Sequence, residues 1–374
     1  MPAGERRLAL ALTFAALLLA GCAGYGSGSG LVARPRPASG TPSYELSLLG
    51  RGPLVLPRTR VDGLDVGGLS AIARLEGTDT YYALVDGQAK TPARVFELAF
   101  EVTAEGVAPP QGRTAGEVAR AAIRLAGFDG ETLDGEGLAI TPWRTFLVAS
   151  EVEPSIREFS REGKLLGTLP VPDLFLAGKG QRGIRGNLGF ESLALSPAGT
   201  TLWTANERPL KQDLADDSKT VPGPVRLLRY TRGGEGFVPG PQYVYPVEGI
   251  AHPGPGFALI GLSDLLLLPD GSLLALEREL TPIRGLRIRL YRVSTAGATD
   301  VSGLDALAGA TYRPVTKTLL YDFAQAGFTP DNLEGITWGS DLPDGDRTLV
   351  LVADDNFEPL QQTQLVALRF HEKR

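Results

Sequence analysis

The chain has 374 residues, 43% hydrophobic and 21% charged, with 47 glycines and 28 prolines. That length can bury a sizeable core, and glycine and proline at about 13% and 7%, above the usual roughly 7% and 5%, favour short strands and tight turns over a helical bundle. A formal charge of −6 excludes a general nucleic-acid binder, while one cysteine excludes internal disulfides and cysteine-built metal clusters.

The first element is an address. Arg6 and Arg7 precede an apolar run at 8–20, too short for a membrane span of about 20 residues and suited to a secretory signal. Leu19-Ala20-Gly21-Cys22 resembles the bacterial lipobox, whose cysteine becomes lipid-modified. Residues 1–21 are therefore expected to be a signal peptide and 22–42 a flexible tether. The expected protein is an exported lipoprotein, periplasmic or at the cell surface, meeting the membrane only through lipid on Cys22.

A strand at 44–49 comes next, followed by a unit that recurs five times. Its first runs start at Gly68, Glu136, Glu191, Ser263 and Glu334, which are 55–72 residues apart. A turn and a second β-rich run follow in each case, at 81–86, 145–151, 201–207, 272–277 and 348–355. Third strands are expected at 94–100, 155–160, 226–230, 287–293 and 364–370, and fourth strands at 164–171, 242–247 and 317–323. Four strands per unit at this spacing predict an all-β, single-domain β-propeller over 43–371, of five or six four-stranded blades. The strand at 44–49 is expected to pair beside 364–370, closing the ring and hiding two edges. A two-sheet sandwich would not explain an acidic residue recurring at one register.

That recurrence is the candidate site. Glu136, Glu191, Asp264 and Glu334 stand at first-strand starts, with Gly68 in the first unit. Asp86, Glu151, Glu207, Glu277 and Asp354 stand at second-strand ends. Antiparallel neighbours put both sets on one rim, where so many carboxylates repel unless cations compensate them. Hard oxygen donors and few imidazoles suit Ca²⁺ or Mg²⁺, with Asn187, Asn206, Asn332 and Asn356 as possible neutral ligands. Any one of these carboxylates can instead accept backbone N–H bonds and lock neighbouring blades.

The sequence has no Gly-x-Ser-x-Gly, HExxH or GxxxxGK[ST] signature. Of its two histidines, His371 lies in the terminal tail and His252 in a loop. Trp143, Trp203 and Trp338 read as blade packing.

The units Asp134-Gly135-Glu136-Gly137-Leu138, Gly189-Phe190-Glu191-Ser192-Leu193 and Asn332-Leu333-Glu334-Gly335-Ile336 resemble the phytase-like propeller family described as "esterase-like activity of phytase". The likeness runs from about Tyr44 to Phe370. It implies hydrolysis of an ester or phosphoester, and related propeller phytases are similar in using calcium-bridged phosphate. This chain departs from them in lacking a dense lysine cluster at the mouth.

Two hypotheses follow. In the first, several of Glu136, Glu191, Glu207, Asp264 and Glu334 hold Ca²⁺, with Glu136, Glu191 and Glu334 as catalytic candidates. Arg185, Arg208, Arg278 and His252 would then receive a small-molecule ester or phosphoester. In the second, the propeller binds a ligand or envelope partner without catalysis. A monomer is expected in both.

Overall fold

The computed structural model describes residues 43–373, apart from 87–91, 128–132, 178–181, 187, 215–222 and 249–257. The expected signal peptide, tether and Cys22, and also Asn187 and His252, lie outside the described residues.

Five four-stranded antiparallel sheets follow one another along the chain. The first blade runs outward through Leu69–Arg74, Thr80–Val85, Arg94–Ala99 and Ala119–Arg124. The second comprises Gly135–Ile140, Phe146–Ser150, Ser155–Phe159 and Leu165–Thr168. The third comprises Ala194–Leu195, Thr201–Ala205, Pro224–Gly233 and Gly236–Pro246. The fourth comprises Leu259–Leu267, Leu273–Thr281, Gly285–Ser294 and Thr316–Asp322. The fifth comprises Leu333–Trp338, Arg347–Ala353 and Gln364–Lys373, and is completed by Ser43–Leu48.

Each innermost strand lies against the innermost strands of both neighbouring blades, so the five close into a ring. The protein is a five-bladed β-propeller. Closure is by the N-terminal strand, which pairs antiparallel from Ser43↔Lys373 to Leu48↔Leu368. Leu54–Val55 adds a short second partner to Gln364–Lys373.

The strands form because their apolar residues alternate between two neighbouring blades. In the third blade, Leu202, Leu228 and Tyr230 pack towards the second blade, while Trp203, Ala205 and Leu227 pack towards the fourth. Five such interblade clusters make up the main core. The cluster between the fifth and first blades joins Leu69, Phe96, Val350 and Val352, with Tyr81 stacked on Phe100 at 4.0 Å. Each such buried side chain contributes about 1.5–3 kcal/mol.

A segment between the third and fourth strands of the fourth blade is stapled to the third blade by a buried ion pair. All five Arg226 N–H groups are engaged. Nε and Nη2 bond Asp213 at 2.7 and 2.9 Å, and the others reach Gln242, Val301 O and Leu304 O. Asp213 also accepts the N–H of Leu307 at 2.9 Å.

Candidate functional site

Four innermost strands carry a β-bulge, at the strand start in the first, second and fifth blades and inside the strand in the fourth. The register slips between Leu69 and Ala71, Gly135 and Gly137, Leu262 and Asp264, and Leu333 and Gly335. In the third blade, Phe190 bridges Asn206 and Ala194 pairs with Trp203, so that strand also carries one extra residue. A bulge bends the strand and re-aims a side chain. The re-aimed residues are Ser70, Glu136, Ser263 and Glu334, with Glu191 serving in the third blade.

The second strands supply the adjoining positions. Asp86, Glu151, Glu207 and Asp354 donate their backbone N–H groups to Gly68, Asp134, Gly189 and Asn332 of their own blades, at 2.8–3.1 Å. By register, the fourth blade has Arg278 at this position. Glu277, expected at the rim, is one residue short of it, and a single step along a strand turns a side chain to the other face. Glu277 accordingly faces the third blade, accepts from Tyr245 Oη at 2.6 Å and pairs with Lys317.

The mouth so formed gathers carboxylates from four blades and a guanidinium from the remaining one. Asp86, Asp134 and Glu136 place carboxylate oxygens within 4.8 Å of one another. Burial, then the charges of Asp86, Glu191, Asp134 and Asp354, hold the Glu136 carboxyl well above the usual range. Glu191 is raised by burial and by Glu151 and Glu207, and it is hydrogen-bonded to Glu151. Glu151 is itself raised by burial and by Glu136. Asp354 is pushed to about 7 by burial and by Asp86, against the pull of a 2.7 Å bond from the Asn356 N–H.

Arg278 offsets part of this charge. It pairs with Glu334, lies 3.5 Å from Glu207 and donates to Asn332 Oδ1 at 2.7 Å, while Asn332 donates to Glu334 at 2.9 Å. Burial raises Glu207, and the guanidiniums of Arg278 and Arg208 oppose the rise. A Cβ on Gly261 would come within 2.5 Å of the Glu207 side chain, so the missing side chain there makes room for that carboxylate.

Asp264 stands apart from this group. Its Oδ1 accepts the N–H of Leu265 and its Oδ2 that of Ile336 in the fifth blade, both at 2.8 Å. The N–H of Leu193 in the third blade is a further donor. Around it the strands approach closely: a Cβ on Gly335 would lie 2.8 Å from Ala71 Cα, and one on Gly137 2.9 Å from the Ser192 carbonyl carbon. The carboxylate acts as a clamp between blades.

The expected substrate arginines are placed differently from one another. Arg185 donates to the carbonyls of Pro209, Lys211 and Leu214, which ties a loop. Arg208 is buried beside Glu207, with its guanidinium lowered by that burial. Arg278 reaches the carboxylates of two blades, Glu207 and Glu334. Asn206 bonds Arg208 O and the Arg226 N–H, while Asn332 stands within the mouth between Arg278 and Glu334. Asp134, quoted in the repeat but not proposed as a ligand, joins the tightest cluster; its signal was its place two residues before Glu136.

Comparison with known proteins adds a family. A family model described as phytase-like, "esterase-like activity of phytase", matches residues 64–357. An uncharacterized secreted protein of Arthroderma benhamiae is 27% identical over 177 residues, covering 40% of this chain and 34% of that protein. Among solved structures, the α-L-arabinofuranosidase PaAbf62A of Podospora anserina is similar with a TM-score of 0.44 at 10% identity, covering 87% of this chain and 97% of that one. The catalytic domain of a GH62 α-L-arabinofuranosidase from Coprinopsis cinerea has a TM-score of 0.44 at 11% identity, covering 88% and 97%.

Proposed function

The chain belongs to the phytase-like family, and from that premise we propose that it is an exported, lipid-anchored hydrolase acting on an ester or phosphoester at the acidic mouth of its propeller. The observation that carries this reading is the meeting of Asp86, Asp134 and Glu136 within 4.8 Å, beside Glu191 and Asp354. Export is supported by the basic start, short apolar run and Cys22, and by the relative named as secreted.

The donor set fits a hard cation. Three carboxylates at this spacing, with neither imidazole nor thiolate among them, match the oxygen-only preference of Ca²⁺. Asp86, Asp134 and Glu136 would hold it, with Asp354 nearby. Bound there, a divalent cation would supply a Lewis acid for a carbonyl or phosphoryl oxygen.

The chain's own groups do the remainder. The Glu151–Glu191 pair keeps a proton in the mouth and can hand it to a leaving oxygen. Glu334, paired with Arg278, can orient an attacking water. Arg278 also holds the Glu207 side of the mouth in place.

The test combines metal analysis of the purified protein with turnover of generic acyl and phosphate esters. EDTA is expected to abolish turnover and calcium to restore it, with Glu191→Gln impairing it in a protein that melts normally. Bound calcium without turnover of any ester would replace this reading with that of a non-catalytic ligand-binding propeller.

A further inference from the structure

At four of the five blade junctions around the mouth, the residue ending a second strand meets the next blade two places before its bulge residue. Glu207 fills the space that a side chain on Gly261 would take, and the backbone of Glu151 does the same at Gly189. Arg278 donates to Asn332, and Asp86 meets Asp134 in the carboxylate cluster. At the seam between the fifth and first blades, the corresponding Gly68 meets the ring of Phe357. A Cβ on Gly68 would lie 2.4 Å from Phe357 Cε2, and one on Gly67 would lie 3.1 Å from Cε1.

Phe357 reaches that place through an unfavourable backbone. Asn356 and Phe357 have φ of 46° and 52°, the left-handed region twice in succession, which a side chain as large as phenylalanine rarely adopts. Such a conformation persists only where its surroundings hold it. The carboxylate of Asp355, 1% exposed, accepts the N–H groups of Gly68 at 2.8 Å and of Phe357 at 3.1 Å on one oxygen. Gly67 makes room for it, since a Cβ there would lie 2.8 Å from that oxygen. The guanidinium of Arg94 lies 5.8 Å from the ring centre. The carbonyl of Gly68 in turn accepts the N–H of Asp86 at 2.8 Å. One glycine thus joins the fifth blade's clasp to the Asp86 arm of the carboxylate cluster.

We propose that Phe357 is a positioning residue for the cation site: seated on Gly67 and Gly68, its ring fixes the Gly68 backbone and so sets Asp86 against Asp134 and Glu136. This rests on the reading of that cluster as a cation site and names what holds one of its arms.

The test is calorimetric titration of the purified, metal-free protein with calcium. Phe357→Ala is expected to raise the calcium Kd at least about tenfold, the usual cost of losing support behind a metal ligand. Phe357→Leu, which keeps part of the ring's volume, should move Kd the same way by less, and it carries the comparison if Phe357→Ala does not fold. Val350→Ala removes volume from a mid-strand position of the same interblade cluster, and it is expected to lower Tm and leave Kd unchanged. An unaltered Kd in the Phe357 variants, or an equal loss in Val350→Ala, makes the ring a packing residue and overturns the proposal. If the unsubstituted protein binds no calcium, the cation reading fails and the placement of Asp86 is read from amide hydrogen exchange. The Phe357 variants should then quicken exchange at Gly68 and Asp86, with the matching Glu151 amide of the second blade unchanged. Unchanged exchange at Asp86, or an equal rise at Glu151, overturns the positioning role.

Discussion

Asp264 offers the sharpest test of how the ring is held. Its carboxylate receives the N–H groups of Leu265, Ile336 and Leu193, tying the third, fourth and fifth blades together. Burial pushes the carboxyl up, and those three bonds pull it back. Asp264→Ala leaves three buried donors without an acceptor, at roughly 1–3 kcal/mol each, so the loss is on the order of 5 kcal/mol. Taking about 2.1 cal/mol/K of unfolding entropy per residue over 43–373, Tm moves about 1.4 °C per kcal/mol and falls by about 7 °C. Asp264→Asn should also melt early, since its amide sets a donor against a donor. The assay is calorimetric melting of both variants, with and without calcium. A normal Tm together with lost stabilisation by calcium would make Asp264 a cation ligand and refute the clamp.

The mouth carboxyls give stability an unusual pH dependence. Asp354 rises from 3.8 to about 7 in the fold, so between those values the native state holds a proton the unfolded chain has released. Stability in EDTA therefore falls as pH rises from about 4 to about 7. Melting at pH 5 and pH 8 should show calcium raising Tm at the higher pH and having little effect at the lower, where protons already neutralise the mouth; equal calcium effects at both would contradict this. Arg226→Met strands Asp213 in the interior and should cost about 3–5 kcal/mol, with the Arg226→Met/Asp213→Leu double variant recovering part of the loss. Hydrogen exchange at Val301 and Leu307 should quicken in the single variant, and unchanged exchange there would count against the staple.

Much of the architecture was legible because apolar alternation and a recurring acid mark each blade at the same register. Ring closure by the first strand also followed, from an alternating run that had no unit of its own. The first blade's outer strand, Ala119–Arg124, was not anticipated: its ARAAIR run offers three alanines and two arginines instead of a β-branched face. The fourth blade misled by single residues. A bulge has no compositional mark, so Ser263-Asp264 and Glu277-Arg278 each read as though the acid faced the mouth. The geometry assigns the mouth positions to Ser263 and Arg278. The engagement of Arg185 with carbonyls beyond Pro209 depends on loop paths that no spacing encodes.

The pairing of Ser43–Leu48 with Gln364–Lys373 has a consequence for the order of assembly. The first described strand has no ladder partner until the last strand has been synthesised, so four blades can accumulate while the fifth stays incomplete. Trimming the final ten residues would strip the early strand of its partner and open the toroid at that seam. Shortening either terminus therefore acts on the same blade from opposite ends of the polypeptide.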